Sequence, residues 1–142
     1  MSATALLLGR RTHELMAGAW ADADESDDAV AAMNRMPTYV VGSSSTAAAW
    51  PNSHRLTGDL VGAVEGLTSD IDGDIVVFGS AALVRGLSEH DLVDEYRLLL
   101  FPVILGAGKK MFDDGAAPAR FRIADTAVSP SGVAIHTLLR DR

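Results

Sequence analysis

The chain has 142 residues, 48% of them apolar and 22% charged, with no cysteine and a net charge of −7. That length carries one real core in an ordinary globular balance, and no apolar run approaches the ~18 residues that span a membrane. The charge excludes the basic face that nucleic acid or an anionic membrane requires. The missing thiols exclude disulfides, thiolate nucleophiles and Cys-ligated metals, and point to a reducing cytoplasm.

The chain opens on "ALLLGRRTHELM", residues 5–16. Residues 4–8 form a short apolar run bounded by Gly9, the pattern of a buried strand, and no basic segment precedes it as a signal peptide would require. Residues 12–20 have helical character, with Leu15, Met16 and Ala19 on one side. Five acids follow in "ADADESDD". Their Ala and Ser spacing lacks the Gly and closing Glu of a calcium loop, so they read as a solvated loop.

A second helix runs from Asp27 or Asp28, where Asp can cap it, to Met36, and Pro37 stops it. "TYVVG", residues 38–42, is β-branched and aromatic and reads as a strand, followed by the loop "SSSTAAAWPNS". A short strand is expected around residues 54–56. Gly58-Asp59 then opens a helix over 60–69, with Val61, Val64 and Leu67 at helical spacing. "DIVVFG", residues 74–79, is the strongest buried strand of the first half, and a helix over 80–87 follows. "EYRLLLFPVIL", residues 95–105, reads as a long strand interrupted at Pro102, which suits an edge or a bulge. The end reads as strands meeting at the Pro130-Ser131-Gly132 turn.

Strands alternating with helices, closed by a late run of strands, predict a single α/β sandwich domain. Its sheet should be mostly parallel, with the C-terminal strands antiparallel.

Two segments share the order strand, Gly, small or basic residue, helix: Leu8-Gly9-Arg10-Arg11-Thr12 and Phe78-Gly79-Ser80-Ala81. Each puts the carboxyl end of a strand against the free N–H groups and partial positive charge of a helix N-terminus, which favours phosphates. In an open α/β sheet the ligand crevice lies at those strand ends. Arg10 and Arg11 add fixed charge and forked donors, and Thr12 adds a hydroxyl or caps its own helix. The same order is also how any α/β protein turns a corner, and neither turn carries the Gly-x-Gly-x-x-Gly fingerprint. "GAGKK", residues 106–110, lacks the first Gly and the Ser or Thr of a Walker A loop.

His13, His54, His90 and His136 are scattered without metal spacing, and His136 reads as a tolerated edge residue. Glu89, Asp91, Asp94 and Glu95 read as a solvated turn. No acid or base stands out as catalytic, which a hydride transfer tolerates when a cofactor brings the hydride.

Taken in order, "LLLGRRTHELM", "MPTYVVGSSST", "GDIVVFGSAALVRGLSEHDLVDEYRLLLFPVILGAGKKMF" and "SGVAIHTLL" resemble the bacterial dihydrofolate reductase-like proteins. These are related to the C-terminal reductase domain of the bifunctional riboflavin-biosynthesis deaminase/reductase. The resemblance implies a three-layer α/β/α sandwich and an NADPH-dependent reduction of a small heterocyclic, ribosyl-pyrimidine or pterin-like substrate. It sets Gly9, Arg10, Arg11 and Thr12 at the adenosine 2′-phosphate, Ser43 and Ser44 beside the adenosine, and Gly79, Ser80 and Ala81 under the pyrophosphate. Pro102, Leu105 and Gly106 fall in the segment lining the substrate side of the nicotinamide. Dihydrofolate reductase has two glycines at the pyrophosphate turn, where this chain has Gly79 and Ser80.

Relatives begin ~30–50 residues earlier, the reach of a strand plus a loop, so this chain starts at the family's second strand. The absent strand would leave its neighbours unpaired. Another strand sliding in, a second subunit, or a longer natural product would each resolve that. The apolar "LLLFPVIL" favours a homodimer. The competing readings are a module of the same fold that binds nucleotide or dimerises without catalysis, and a flavin-binding protein.

Overall fold

The computed structural model describes residues 3–42, 50–112 and 114–141. In chain order the elements are β1 (Ala3–Gly9), α1 (Arg10–Trp20), α2 (Asp28–Arg35), β2 (Thr38–Val41), β3 (Ser53–Leu56) and α3 (Leu60–Asp70). These are followed by β4 (Asp74–Val76), α4 (Ala81–Glu89), β5 (Glu95–Leu100), β6 (Phe121–Val128) and β7 (Ala134–Arg140). They fall into two compact units, Met1–Gly86 and Leu87–Arg142. The α/β class, with parallel strands first and antiparallel strands last, is as expected, and the two sets are laddered separately.

The N-terminal unit is built on four parallel strands in the order β3-β2-β1-β4. A strand paired on both sides and covered on both faces reads as a continuous apolar run. That is the pattern of β1, where residues 5–8 are at most 2% exposed. Leu6 and Leu8 pack with Ala17 of α1 and with Trp50, and Met16, Trp20, Met33 and Met36 close around them.

The helix boundaries follow from local chemistry. Gly9 ends β1 in extended geometry, and α1 starts at the next residue, two earlier than the sequence pattern indicates. The Asp27 carboxylate accepts the Ala29 N–H at 2.8 Å and opens α2, which closes at Met36 because Pro37 pushes the preceding residue out of helical geometry. Asp59 accepts the Gly62 N–H at 2.9 Å and opens α3, whose Val64 and Leu67 face the core. In the acidic loop the Ser26 N–H donates to Asp24 Oδ1 at 2.9 Å. That bond holds the exposed Asp24 carboxyl below its ordinary range, as in a self-closed surface turn.

One buried polar group ties this unit together. Asn34 on α2 is 4% exposed. Its Oδ1 accepts the indole N–H of Trp50 at 2.7 Å, and its Nδ2 donates to the Trp20 carbonyl at 3.2 Å and to Glu25 Oε1 at 3.0 Å. The Asn52 side chain donates to the Asn34 carbonyl at 3.2 Å, and the Asn52 carbonyl accepts the Thr38 N–H at 3.0 Å. The end of α1, the acidic loop, α2 and the entry to β2 thus share one network.

Two strand expectations change. The buried strand expected over 74–79 is laddered only from Asp74 to Val76, and Ile75 and Val76 are half-buried. Among the described residues β4 is laddered to β1 alone, and a single ladder encloses a strand less than two do. The long strand expected over 95–105 stops at Leu100. Pro102 has no N–H to give a ladder, and the Val103 N–H turns back to the Phe101 carbonyl at 2.8 Å.

The C-terminal unit is an antiparallel sheet in the order β5-β7-β6. The β6–β7 connection is the expected turn: the Gly132 N–H bonds the Ser129 carbonyl at 2.9 Å, with Gly132 at φ 85°, the left-handed position that three- to five-residue hairpins reserve for Gly. β7 is the central strand, so His136 is not an edge residue; its Nδ1 lies 3.1 Å from Thr126 Oγ1 on β6. Tyr96 is the aromatic centre, edge-on to Phe112 and Phe121 with centroids at 5.6 and 5.1 Å. Its hydroxyl bonds Ser88 Oγ. Asp91, in the expected acidic turn, pairs with Arg140, whose guanidinium also sits 5.4 Å over the Phe121 ring. Much of the apolar surface here is open: Leu100 is 65% exposed, Ile104 97% and Ile123 67%.

Candidate functional site

Two strand ends of the N-terminal unit place the candidate site. β1 and β4 are parallel neighbours, so their carboxyl ends lie side by side and each delivers a turn into a helix. The two turns touch. The Gly9 N–H donates to the Gly79 carbonyl at 3.2 Å. A Cβ on Gly9 would stand 2.6 Å from Ser80 Oγ and 3.3 Å from the Ser80 nitrogen, and one on Gly79 would stand 3.5 Å from Thr12 Oγ1. Gly79 adopts φ 122°, a region that side chains avoid, and is joined to Ser80 by a cis peptide. Gly9 has ordinary dihedrals; it is held to glycine by the approach of Ser80. Of the residues singled out from the sequence, Gly9, Arg10, Arg11, Thr12, Gly79, Ser80 and Ala81 are therefore one cluster.

The two helix ends differ. At α4 the Ser80 hydroxyl reaches the Leu83 N–H at 3.5 Å, a long and weak cap. At α1 the N-cap residue is Gly9, which has no side chain to give a cap, and the first turn contains no acid. Two arginines stand there instead. Cations at the positive end of a helix cost it a few tenths of a kcal/mol or more, so α1 is charged against its own stability, and an anion would reverse that sign. Open N–H groups, a guanidinium and a bare glycine turn are the donor set that a phosphate monoester fits.

Arg10 and Arg11 are not equivalent. Arg11 is exposed. The stem of Arg10 lies against the end of β2, its Cβ 3.1 Å from where a Cβ of Gly42 would be, and its Nη1 donates to Glu14 Oε1 at 2.8 Å. Sequence reasoning missed both contacts. An acid four residues along a helix reads as a surface pair, and Gly42 comes close only through the β1–β2 register.

Beneath this turn His13 is 1% exposed. Its Nε2 sits 2.8 Å from Ser53 Oγ on β3, and its ring lies 5.9 Å from that of Trp50. Burial pushes the imidazole below its ordinary range, outweighing the pull of the Glu14 carboxylate in the other direction. The unfolded chain takes up this proton near pH 6.5 and the folded chain resists it, so the unfolded state binds more protons as pH falls. Stability should therefore hold above about pH 6.5 and decline below it. In urea unfolding between about pH 7 and 5, His13→Gln is expected to flatten this acid limb relative to wild type. An identical limb in the variant would assign the loss to other groups.

The remaining residues lie elsewhere. Pro102, Leu105 and Gly106 belong to the C-terminal unit, exposed in the segment after β5, with Gly106 at φ 76°. Ser43 and Ser44 lie outside the described residues. Among the described residues no group of three or more His, Asp or Glu comes together as a metal site, and no helix is long and apolar enough to cross a membrane.

Known proteins share this fold. Residues 1–135 match the family model of the RibD C-terminal domain. A protein of Shewanella sp. PV-4 described as a riboflavin biosynthesis protein superposes with a TM-score of 0.72 at 19% identity, covering 99% of this chain and 75% of that one. A pyrimidine reductase-like protein of Corynebacterium diphtheriae gives 0.63 at 13% identity, over 99% and 77%. RibD of Acinetobacter baumannii gives 0.60 at 13%, and there the chain spans 47% of its relative. In sequence, the uncharacterized protein YyaP of Bacillus subtilis (strain 168) is 38% identical over 60 residues, 42% of this chain and 32% of that protein.

Proposed function

The chain belongs to the RibD C-terminal domain family, and on that premise we propose that it is an NADPH-dependent reductase of a small heterocyclic, ribosyl-pyrimidine or pterin-like substrate. The observation that carries the reading is the junction of the two glycine turns, made by the Gly9 N–H on the Gly79 carbonyl. That junction sets an uncapped, arginine-bearing helix end beside a second helix end, a spacing suited to a ligand with more than one phosphate group.

NADPH supplies the hydride when bound. The chain's own task is to bind and orient. Arg10, with Thr12 and the first N–H groups of α1, receives the 2′-phosphate, and Arg11 adds long-range attraction from an exposed position. Gly79, Ser80 and Ala81 take the pyrophosphate. The bare backbone of Gly79 lets it approach, and the Ser80 hydroxyl can exchange its weak cap for a phosphate oxygen. Pro102, Leu105 and Gly106 are assigned to the substrate.

The reading extends to a cytoplasmic homodimer, in which a second copy covers the open apolar surface of the C-terminal unit. Sedimentation equilibrium at micromolar concentration should give twice the chain mass, and a strictly monomeric profile would remove this part of the reading. The reaction itself is tested by following NADPH oxidation with pterins, folates and pyrimidine ribosides. Turnover with one class identifies the substrate family. Tight NADPH binding without turnover on any of them would leave a binding module of the same fold.

A further inference from the structure

The ion pair between Arg10 and Glu14 has little to offer the helix that carries it. Both side chains are about two-fifths exposed, at 40% and 43%, and an exposed pair at this spacing contributes little to stability. Its order, cation before acid, is also the poorer one along a helix. Yet it engages one specific arginine. The stem of Arg10 passes close to Gly42 and its guanidinium donates to Glu14, whereas Arg11 is exposed beside it.

Resting on the NADPH reading above, we propose that Glu14 is a specificity-setting residue: a built-in counter-charge that occupies Arg10 in the free protein and limits how strongly the 2′-phosphate is preferred. An incoming phosphate monoester competes with the Glu14 carboxylate for the same guanidinium donors. Glu14 must then share Arg10 or release it, and that competition is the whole of its effect on the phosphate. NADH, which presents a hydroxyl at that position, does not need Arg10 and leaves the pair intact. Glu14 therefore tunes the ratio between the two cofactors while touching neither hydride nor substrate. Its charge already reaches its neighbours, since it pulls on the proton of His13.

The test is calorimetric titration of NADPH and NADH into the full chain as wild type, Glu14→Gln, Arg10→Ala and the double variant. Melting temperatures without ligand check that each is folded. Glu14→Gln is nearly isosteric and exposed, so folding is not at stake. It should raise the NADPH-over-NADH affinity ratio about 3- to 10-fold, and this gain should shrink as salt screens the charges. Added to Arg10→Ala, the same change should alter the ratio less than about 2-fold, because Glu14 acts through that arginine. An unchanged or lowered ratio in Glu14→Gln, or an equal gain without Arg10, overturns the proposal. If Arg10→Ala itself leaves the ratio unchanged, the placement of the 2′-phosphate falls first and this proposal falls with it.

Discussion

Replacing Arg10 by alanine should weaken NADPH binding about 10- to 100-fold and change NADH binding less than about 2-fold. The magnitude follows from the bonds at stake. A hydrogen bond between ionised partners contributes ~1.5–3 kcal/mol, and each 1.4 kcal/mol is tenfold in affinity. The selectivity follows from position. Arg10 is the first residue of α1, directly after the N-cap Gly9, and its side chain passes close to Gly42. Arg11, exposed and next to it, should lose less on truncation, because it acts as a screened charge across solvent. Isothermal titration with both cofactors checks this. A matched loss for NADPH and NADH would show that Arg10 supports the fold of the turn and does not read the 2′ position.

The second large effect concerns stability. Asn34→Ala should cost about 3 kcal/mol, which for a chain of this size lowers the melting temperature by roughly 10 °C. Asn34 looks ordinary in the sequence, a polar residue near the end of a short helix. In the structure it is buried and accepts the Trp50 indole N–H at 2.7 Å. Truncation strands that donor in the core beside Leu6, Leu8 and Ala17, and a buried donor left unsatisfied costs ~1–3 kcal/mol. The bonds from Nδ2 to the Trp20 carbonyl and to Glu25 are lost as well. Trp50→Phe removes the indole N–H and keeps an aromatic ring, so the double variant should cost about 1–2 kcal/mol less than the sum of the singles. Additive losses would mean that the two side chains contribute independently.

The sequence carried the order of elements well, because that order is written in local chemistry. Asp27 and Asp59 announce α2 and α3, Pro37 ends the first of these, and the Ser129–Gly132 turn sets the last hairpin. It carried the two anion-friendly turns as parts of one sheet, but not the contact between them. Their contact depends on β1 and β4 lying side by side, and pairing partners are not written in either strand.

The misreadings share a cause. "DIVVFG" is apolar enough to be a buried strand and "EYRLLLFPVIL" to be a long one, but burial and strand length are decided by neighbours. Among the described residues β4 has one ladder partner, and β5 loses its ladder before Pro102. His136, a polar residue among apolar strand residues, read as an edge residue, while the sheet order places its strand in the middle. Asn34 and the burial of His13 were invisible for a related reason. A polar residue on a helix looks solvated until the packing shows otherwise.

The measurement that bears most directly on the reading is a thermal-shift titration of the 142-residue chain with NADPH and, in parallel, NADH. A ligand at about 100 times its dissociation constant adds roughly 2.7 kcal/mol of stability, which for this chain is a rise of several degrees. We expect a clear, saturating rise with NADPH and a much smaller one with NADH at equal concentration. Equal shifts, or none with either cofactor, would contradict the assignment of the joined glycine turns to NADPH.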